Sequence, residues 1–209
     1  FIRCGGFAMF AAREYGCKVT GITLSTEQLA FAKKTAEQAQ LSHLLDFQLI
    51  DYRDVRGSYD RIVSIEMFEA VGEEHWPAYF RTVRDRLRPG GVAALQIITI
   101  QDERFDLYRR QADFIQLYIF PGGMLPSPSA LKDAVTKQGL GFETARTFGL
   151  SYAETLRRWR EVFDTRWETI QPLGFDERFK RMWDYYLASC EGSFRAGSID
   201  VGQFRLTRV

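Results

Sequence analysis

Lys18-Val19-Thr20-Gly21-Ile22-Thr23-Leu24-Ser25-Thr26-Glu27-Gln28 changes its hydrophobic period partway along. Residues 18–23 are short, apolar and rich in β-branched side chains, which predicts a buried strand. Ser25 then stands where a helix should begin, with Gln28 three positions on, the spacing of a capping box. Ala30, Ala32, Ala36 and Ala39 carry that helix to about residue 40. A strand that runs directly into a capped helix is half of a βαβ unit.

The pattern continues on both sides. Upstream, residues 6–15 (GFAMFAAREY) read as a helix. Downstream, residues 46–50 and 59–65 read as strands, 75–87 as a helix ended by Arg88-Pro89-Gly90-Gly91, and 92–98 as a further strand. Strands alternating with helices predict an α/β fold, a mostly parallel sheet with helices on both faces. Past Ile100 the alternation stops. Residues 102–117 predict one charged amphipathic helix, and Phe120-Pro121-Gly122-Gly123-Met124-Leu125-Pro126 a loop in which proline and glycine forbid regular structure. Residues 129–138 predict a helix, 141–148 a strand, 153–170 and 176–193 helices, and 199–207 a closing strand. A single domain over 1–209 is expected, with helical elaborations at 101–138 and 153–193.

Composition sets limits on function. A chain of 209 residues with 45% hydrophobic and 26% charged side chains suits one compact domain. Lys plus Arg number 28 against 27 acids, and a net charge of +1 gives no general pull toward nucleic acid. Aromatic content of 14%, with 17 Phe, points to apolar pockets or a lipid-facing surface beyond an ordinary core. Cys4, Cys17 and Cys190 are odd in number and widely spaced, which suits neither a disulfide framework nor a metal site and implies a reducing, cytoplasmic setting. No apolar run approaches the ~20 residues of a membrane span, so the protein is expected to be soluble or at most peripheral.

A nucleotide-binding sheet normally opens with a buried strand that runs into a glycine-rich turn, because the ligand sits beyond the strand's carboxyl end. Only Phe1-Ile2-Arg3 precede Cys4-Gly5-Gly6 here, too few for a central strand, so the first strand is expected to be missing. Gly5 and Gly6 open a helix whose N-terminus could take a carboxylate or phosphate, or could simply turn the chain. Thr23 and Gln28 lie at a strand's carboxyl end, where ligands bind in such sheets, though an ordinary helix cap would account for them. Tyr52 and Arg53, in Asp51-Tyr52-Arg53-Asp54, offer an aromatic face and a polar edge suited to adenine, or an exposed charged turn. Glu66 and Glu69 follow a strand among Met67, Phe68 and Val71. A carboxylate in apolar surroundings must be protonated, paired or used for chemistry, and a pair of acids at a helix start is the plainer alternative.

Taken in order, Val19 to Ser25 with Gln28, Asp51-Tyr52-Arg53-Asp54, Tyr59 through Gly72, Tyr118-Ile119-Phe120-Pro121, Leu125-Pro126-Ser127, Arg178-Phe179 to Tyr186-Leu187 and Phe194-Arg195 make a recognisable set. The set resembles the catalytic region of the cyclopropane-fatty-acyl-phospholipid and mycolic acid cyclopropane synthases, which are S-adenosyl-L-methionine-dependent methyltransferases of the Rossmann-like class. The resemblance implies that Gly5 and Gly6 are what remains of the cofactor's glycine loop. It also implies that Thr23 and Gln28 hold the ribose and amino-acid end, and that Tyr52 and Arg53 flank the adenine. Glu69, Ile98 and Tyr152 match positions that hold a bicarbonate ion beside the reacting double bond, and Cys190 matches a cysteine once proposed as catalytic. Tyr118, Phe120 and Met124 would line an apolar tunnel for the acyl chain.

Two departures matter. The glycine segment is shorter than the family's, and Gln96 stands where some members place a bicarbonate-contacting histidine; an amide can donate to an anion but does not titrate near neutral pH. The implied activity is methylene or methyl transfer to the double bond of an unsaturated phospholipid acyl chain at the inner membrane surface. A cyclopropane ring would form through a carbocation and a bicarbonate base. Gln96 keeps a fatty-acyl C-methyltransferase open, and the short glycine segment keeps a non-catalytic lipid-binding module open. A homodimer is compatible with either.

Overall fold

The computed structural model describes residues 5–208, so Cys4 lies outside the described residues. The first half follows the predicted alternation: α1 (Gly6–Tyr15), β1 (Val19–Thr23), α2 (Thr26–Gln38), β2 (Leu45–Leu49), β3 (Tyr59–Ile65), α3 (Trp76–Arg86) and β4 (Leu87–Ile100). Next come α4 (Asp102–Tyr108), α5 (Phe114–Tyr118), α6 (Pro128–Thr136), β5 (Leu140–Thr147), α7 (Gly149–Thr165), α8 (Trp167–Ile170), α9 (Glu177–Arg195) and β6 (Ile199–Arg208).

Three expectations need correction. The single helix at 102–117 is two, because the Asp113 side chain accepts from Gln116 N at 2.8 Å while Gln116 Oε1 accepts from Asp113 N at 2.9 Å. That capping box starts a new helix where the old one would have continued. The helix at 153–170 begins at Gly149, whose N–H donates to Asp200 Oδ1 at 2.8 Å, and it breaks at Arg166. At Ser25 only half of the predicted box forms: Ser25 Oγ accepts from Gln28 N at 3.2 Å, but the Gln28 side chain turns to Thr23 instead.

The strands make two sheets. β1 and β2 pair in parallel, and a second sheet has the order β3-β4-β6-β5, with β3 parallel to β4 and β6 antiparallel to both neighbours. Between β1 and β3 lies a cavity of about 950 Å³, lined among others by Gly5, Gly6, Gly21, Tyr52, Ser64 and Tyr79. It falls where the sequence reading expects a central strand.

The larger sheet separates two clusters. On one face Ala93, Leu95 and Ile97 of β4 with Phe204 and Leu206 of β6 pack against Trp76, Tyr79, Phe80 and Val83 of α3 and Leu131 and Val135 of α6. The α3 residues recur at helical spacing and form one apolar stripe. On the other face Val201 and Ile98 meet Ala153 and Leu156 of α7 and Leu187, Cys190 and Phe194 of α9. Among the described residues no helix is long and apolar enough to cross a membrane.

Candidate active site

β3 ends at Ile65, and the next residue, Glu66, has φ 49, a left-handed conformation that costs a non-glycine residue on the order of 1–2 kcal/mol. The strain is held in place from both sides. Glu66 N donates to Gln96 O at 2.9 Å, and two residues later Phe68 is fully buried with its ring centroid 5.0–5.2 Å from those of Trp76, Tyr79 and Phe80. Phe68 thus pins the turn that carries both acids.

Glu66 faces a polar group on the α7–α9 side of the sheet. Gln96 Nε2 donates to Glu66 Oε1 at 2.8 Å and to the Tyr152 hydroxyl at 2.8 Å, and the Tyr152 hydroxyl donates to Glu66. Tyr152 sits in the first turn of α7, with Phe148 and Phe194 rings 5.8 and 5.4 Å from its own. Glu69 is tied differently: its Oε1 accepts from Ile98 N at 2.7 Å, and its backbone oxygen accepts from Met124 N at 2.8 Å. The pair of acids does not start an α-helix: Glu69 lies in a single 3₁₀ turn at Phe68–Ala70, and α3 begins only at Trp76. The pair lies at the carboxyl ends of β3 and β4, the ligand-binding end of such sheets.

The residues expected at the methyl donor divide into two groups. Gly5, Gly6 and Tyr52 line the cavity between β1 and β3. Gly5 caps α1 with φ 77 and no side-chain cap, and a Cβ there would lie 3.3 Å from both Ala32 Cβ and Phe47 Cζ. Glycine is what lets this turn approach α2 while the first N–H groups of α1 stay uncapped by any side chain. Thr23, fully buried at the end of β1, donates to Gln28 Oε1 at 2.9 Å, which leaves the Gln28 amide nitrogen as the end able to donate to a ligand. The Arg53 guanidinium holds the Asp51 carboxyl below its usual range and is committed to that pair, at 2.8 and 2.9 Å. Its other contact is over the Tyr52 ring, 5.8 Å from the centroid.

Met124 packs inward beside Glu69, but Tyr118 and Phe120 are 58% and 53% exposed. An enclosed tunnel lined by all three is not what forms; Phe120 instead lies at the surface with its ring 6.0 Å from that of Tyr186. Cys190 belongs to the apolar cluster between α7 and α9, and burial pushes its thiol up to about 12, so it packs there in the protonated form. A thiol in that state is not a nucleophile.

The resemblance gives a role to Glu69 and none to Glu66, and the sequence reading passes over Gln203, whose Nε2 donates to Gln96 Oε1 at 3.1 Å. The strain at Glu66 has no signature in sequence. Gln203 sits in an alternating strand where a polar residue reads as solvent-facing.

The mycolic acid cyclopropane synthetase family profile matches residues 2–204. The chain is 45% identical over 194 residues to the tuberculostearic acid methyltransferase UfaA1 of Mycobacterium tuberculosis, covering 92% of this chain and 45% of that protein. It is 38% identical over 204 residues to the cyclopropane-fatty-acyl-phospholipid synthase of Escherichia coli K12, covering 98% of this chain and 51% of the relative. The chain thus spans about half the length of these relatives. Its structure matches that of mycolic acid cyclopropane synthase CmaA1 complexed with SAH and CTAB, with TM-score 0.87 at 29% identity over 98% of this chain and 75% of the other.

Proposed function

Because the chain belongs to the mycolic acid cyclopropane synthetase family, we propose that it adds a one-carbon unit from S-adenosyl-L-methionine to the double bond of an unsaturated fatty acyl chain. The observation that carries this reading is the convergence of Glu66, Gln96 and Tyr152, with Glu69 on the neighbouring backbone, at the carboxyl ends of β3 and β4. Bound S-adenosyl-L-methionine supplies an electrophilic methyl group on a cationic sulfur. Gly5 and Gly6 at the uncapped N-terminus of α1, Tyr52, and the Thr23–Gln28 pair are the residues that would hold it.

An isolated alkene is a poor nucleophile, so positioning it and excluding water are the protein's main contributions. Positive charge then develops on the acyl chain. Two carboxylates in a partly buried site offset it, since a unit pair ~5 Å apart at an effective dielectric of ~20 gains roughly 3 kcal/mol. The rings of Tyr152, Phe148 and Phe194 add π-faces on the same side. A proton must finally leave the acyl product, and we assign its removal to the carboxylate pair.

Of the residues that the resemblance assigns to bicarbonate, Glu69 accepts from the Ile98 N–H, while Glu66 Oε1 and the Tyr152 hydroxyl share the approach of Gln96 Nε2. The other N–H of that amide could donate to an anion there, and no step is drawn through the ion.

A second reading, C-methylation to a methylene branch by loss of a proton, or to a saturated branch with hydride from a separately supplied reductant, is supported by Gln96 and by the 45% identity to a protein named as a tuberculostearic acid methyltransferase. The test is methyl transfer from labelled S-adenosyl-L-methionine to unsaturated phospholipid vesicles. Cyclopropane and methylene products each gain one CH₂ and are told apart by NMR, whereas a saturated methyl branch is heavier by two hydrogens. Binding of the methyl donor without any acyl product would remove both readings and leave the lipid-binding module.

A further inference from the structure

The four strands of the larger sheet each bring one polar group into a row that runs from exposed Arg146 at one edge to Glu66 and Tyr152 under α7. Arg146 of β5 donates from Nε to Gln203 Oε1 at 3.1 Å, and Gln203 of β6 donates from Nε2 to Gln96 Oε1 at 3.1 Å. Gln96 of β4 donates to Glu66, just past β3, and to Tyr152, both at 2.8 Å. The register makes these side chains neighbours: Arg146 pairs with Gln203, Gln203 with Gln96, and Gln96 with Ile65.

Every donor in the row points the same way. A guanidinium has only donors and an ionised carboxylate only acceptors, so the two ends of the row cannot be reversed. The two amides between them could each turn over, exchanging oxygen for nitrogen with little change of shape. Only one arrangement satisfies all four groups, with each amide oxygen toward Arg146 and each amide nitrogen toward Glu66. Turning Gln96 alone would set N–H against N–H at Gln203 and oxygen against carboxylate at Glu66.

We propose that Gln203, backed by Arg146, is a positioning residue that fixes which end of the Gln96 amide faces Glu66 and Tyr152. The proposal rests on the reading of this cluster as the site of acyl methyl transfer. Its physical content, the orientation of one amide, is separate from that chemistry. Gln203 lies on the far side of Gln96 from Glu66 and acts through Gln96. Charge at both ends of a hydrogen-bonded row strengthens each link.

The informative change is Gln203→Glu. It still accepts from Arg146 but can no longer donate to Gln96, so the Gln96 oxygen meets a carboxylate in either orientation and the amide loses its single preferred arrangement. In the ¹⁵N-labelled protein, the Gln96 side-chain NH₂ signals, identified by their loss in Gln96→Glu, should shift in Gln203→Glu and broaden in Gln203→Leu. Turnover with unsaturated phospholipid vesicles should fall about 10-fold or more while KM for S-adenosyl-L-methionine holds. In a Tyr152→Phe background the same change at 203 should cost much less, because the contact it disrupts is already gone. Gln203→Leu preserves the test if the glutamate variant fails to fold. Unmoved Gln96 signals in a folded Gln203 variant would overturn the proposal. Absence of acyl transfer in the unaltered protein would overturn the functional reading, while the NMR result would still decide the amide's orientation.

Discussion

Replacing Thr23 by valine removes a single oxygen from the end of β1 and keeps the side chain's volume. That oxygen has two partners: it donates to Gln28 Oε1 at 2.9 Å and accepts from Ser25 N at 3.1 Å. Each bond contributes about 1 kcal/mol net, and leaving the part-buried Ser25 N–H unpaired keeps the second at the low end of the roughly 1–3 kcal/mol that a stranded donor costs. Gln28 is partly exposed and water can replace its share, so the loss should be about 2 kcal/mol. In a domain of this size that lowers Tm by roughly 4–8 °C. Thr23→Ser keeps both bonds and gives up one methyl group, about 1 kcal/mol. Thermal unfolding followed by circular dichroism should rank wild type above serine and serine above valine. Calorimetric titration with S-adenosyl-L-methionine should show the valine variant weakened, since nothing then orients the Gln28 amide. Equal stability and equal binding in the two variants would refute the role given to this hydroxyl.

Gly5→Ala should destabilise by roughly 1–2 kcal/mol from its left-handed backbone alone and weaken methyl-donor binding further through the 3.3 Å approach to Ala32 and Phe47, read by the same two assays. Glu66→Gln keeps an oxygen that can accept from Gln96 and Tyr152, so it should fold normally yet lose on the order of 10-fold or more in acyl transfer; Glu69→Gln should lose at least as much, and unchanged turnover in both would take the acids out of the chemistry. Exposed Cys17 should alkylate in the native protein at neutral pH while buried Cys190 resists. Burial raises the Cys190 pKa from 9.0 to about 12, so its contribution to stability is complete below the unfolded value and is lost as pH rises toward the folded one. Cys190→Ala should accordingly flatten the alkaline fall in stability, measured by urea unfolding between pH 9 and 12.

The first half of the fold was legible because its elements are local. Residues 59–65 and 6–15 match the observed β3 and α1 at both ends, since each rests on an unbroken period bounded by glycine or a polar turn. The misread helix at 102–117 failed for a reason equally local but weaker than the hydrophobic pattern, the Asp113–Gln116 box. Of the site, Glu69 was legible from its place just past a strand, whereas Gln96, Ile98 and Tyr152 came only through the family resemblance; Glu69 meets Ile98 and Gln96 meets Tyr152. What was not legible is pairing across the sheet. No local signal says that Gln203 stands beside Gln96, or that the Tyr152 hydroxyl reaches Glu66 rather than an anion held by Glu69.

That pairing depends on the phase of one strand. In β4 the odd residues 93, 95 and 97 enter the apolar core under α3, while Gln96 and Ile98 face α7 and α9. A slip of one residue would exchange the two sets, burying the amide in the core and turning leucine and isoleucine toward Glu66. The phase is set upstream, where Tyr59 pairs with Leu87 but Arg61 pairs with Val92, so Arg88-Pro89-Gly90-Gly91 bulges out of the ladder. A bulge of this kind shifts every later side chain by the residues it absorbs. Gly91 permits it, because a Cβ there would stand 2.7 Å from Arg88 O and 3.2 Å from Asp60 O. The sequence reading took this tetrapeptide as the end of a helix. Its larger consequence lies further along the strand, where it determines that an amide rather than an aliphatic side chain meets the strained carboxylate of Glu66.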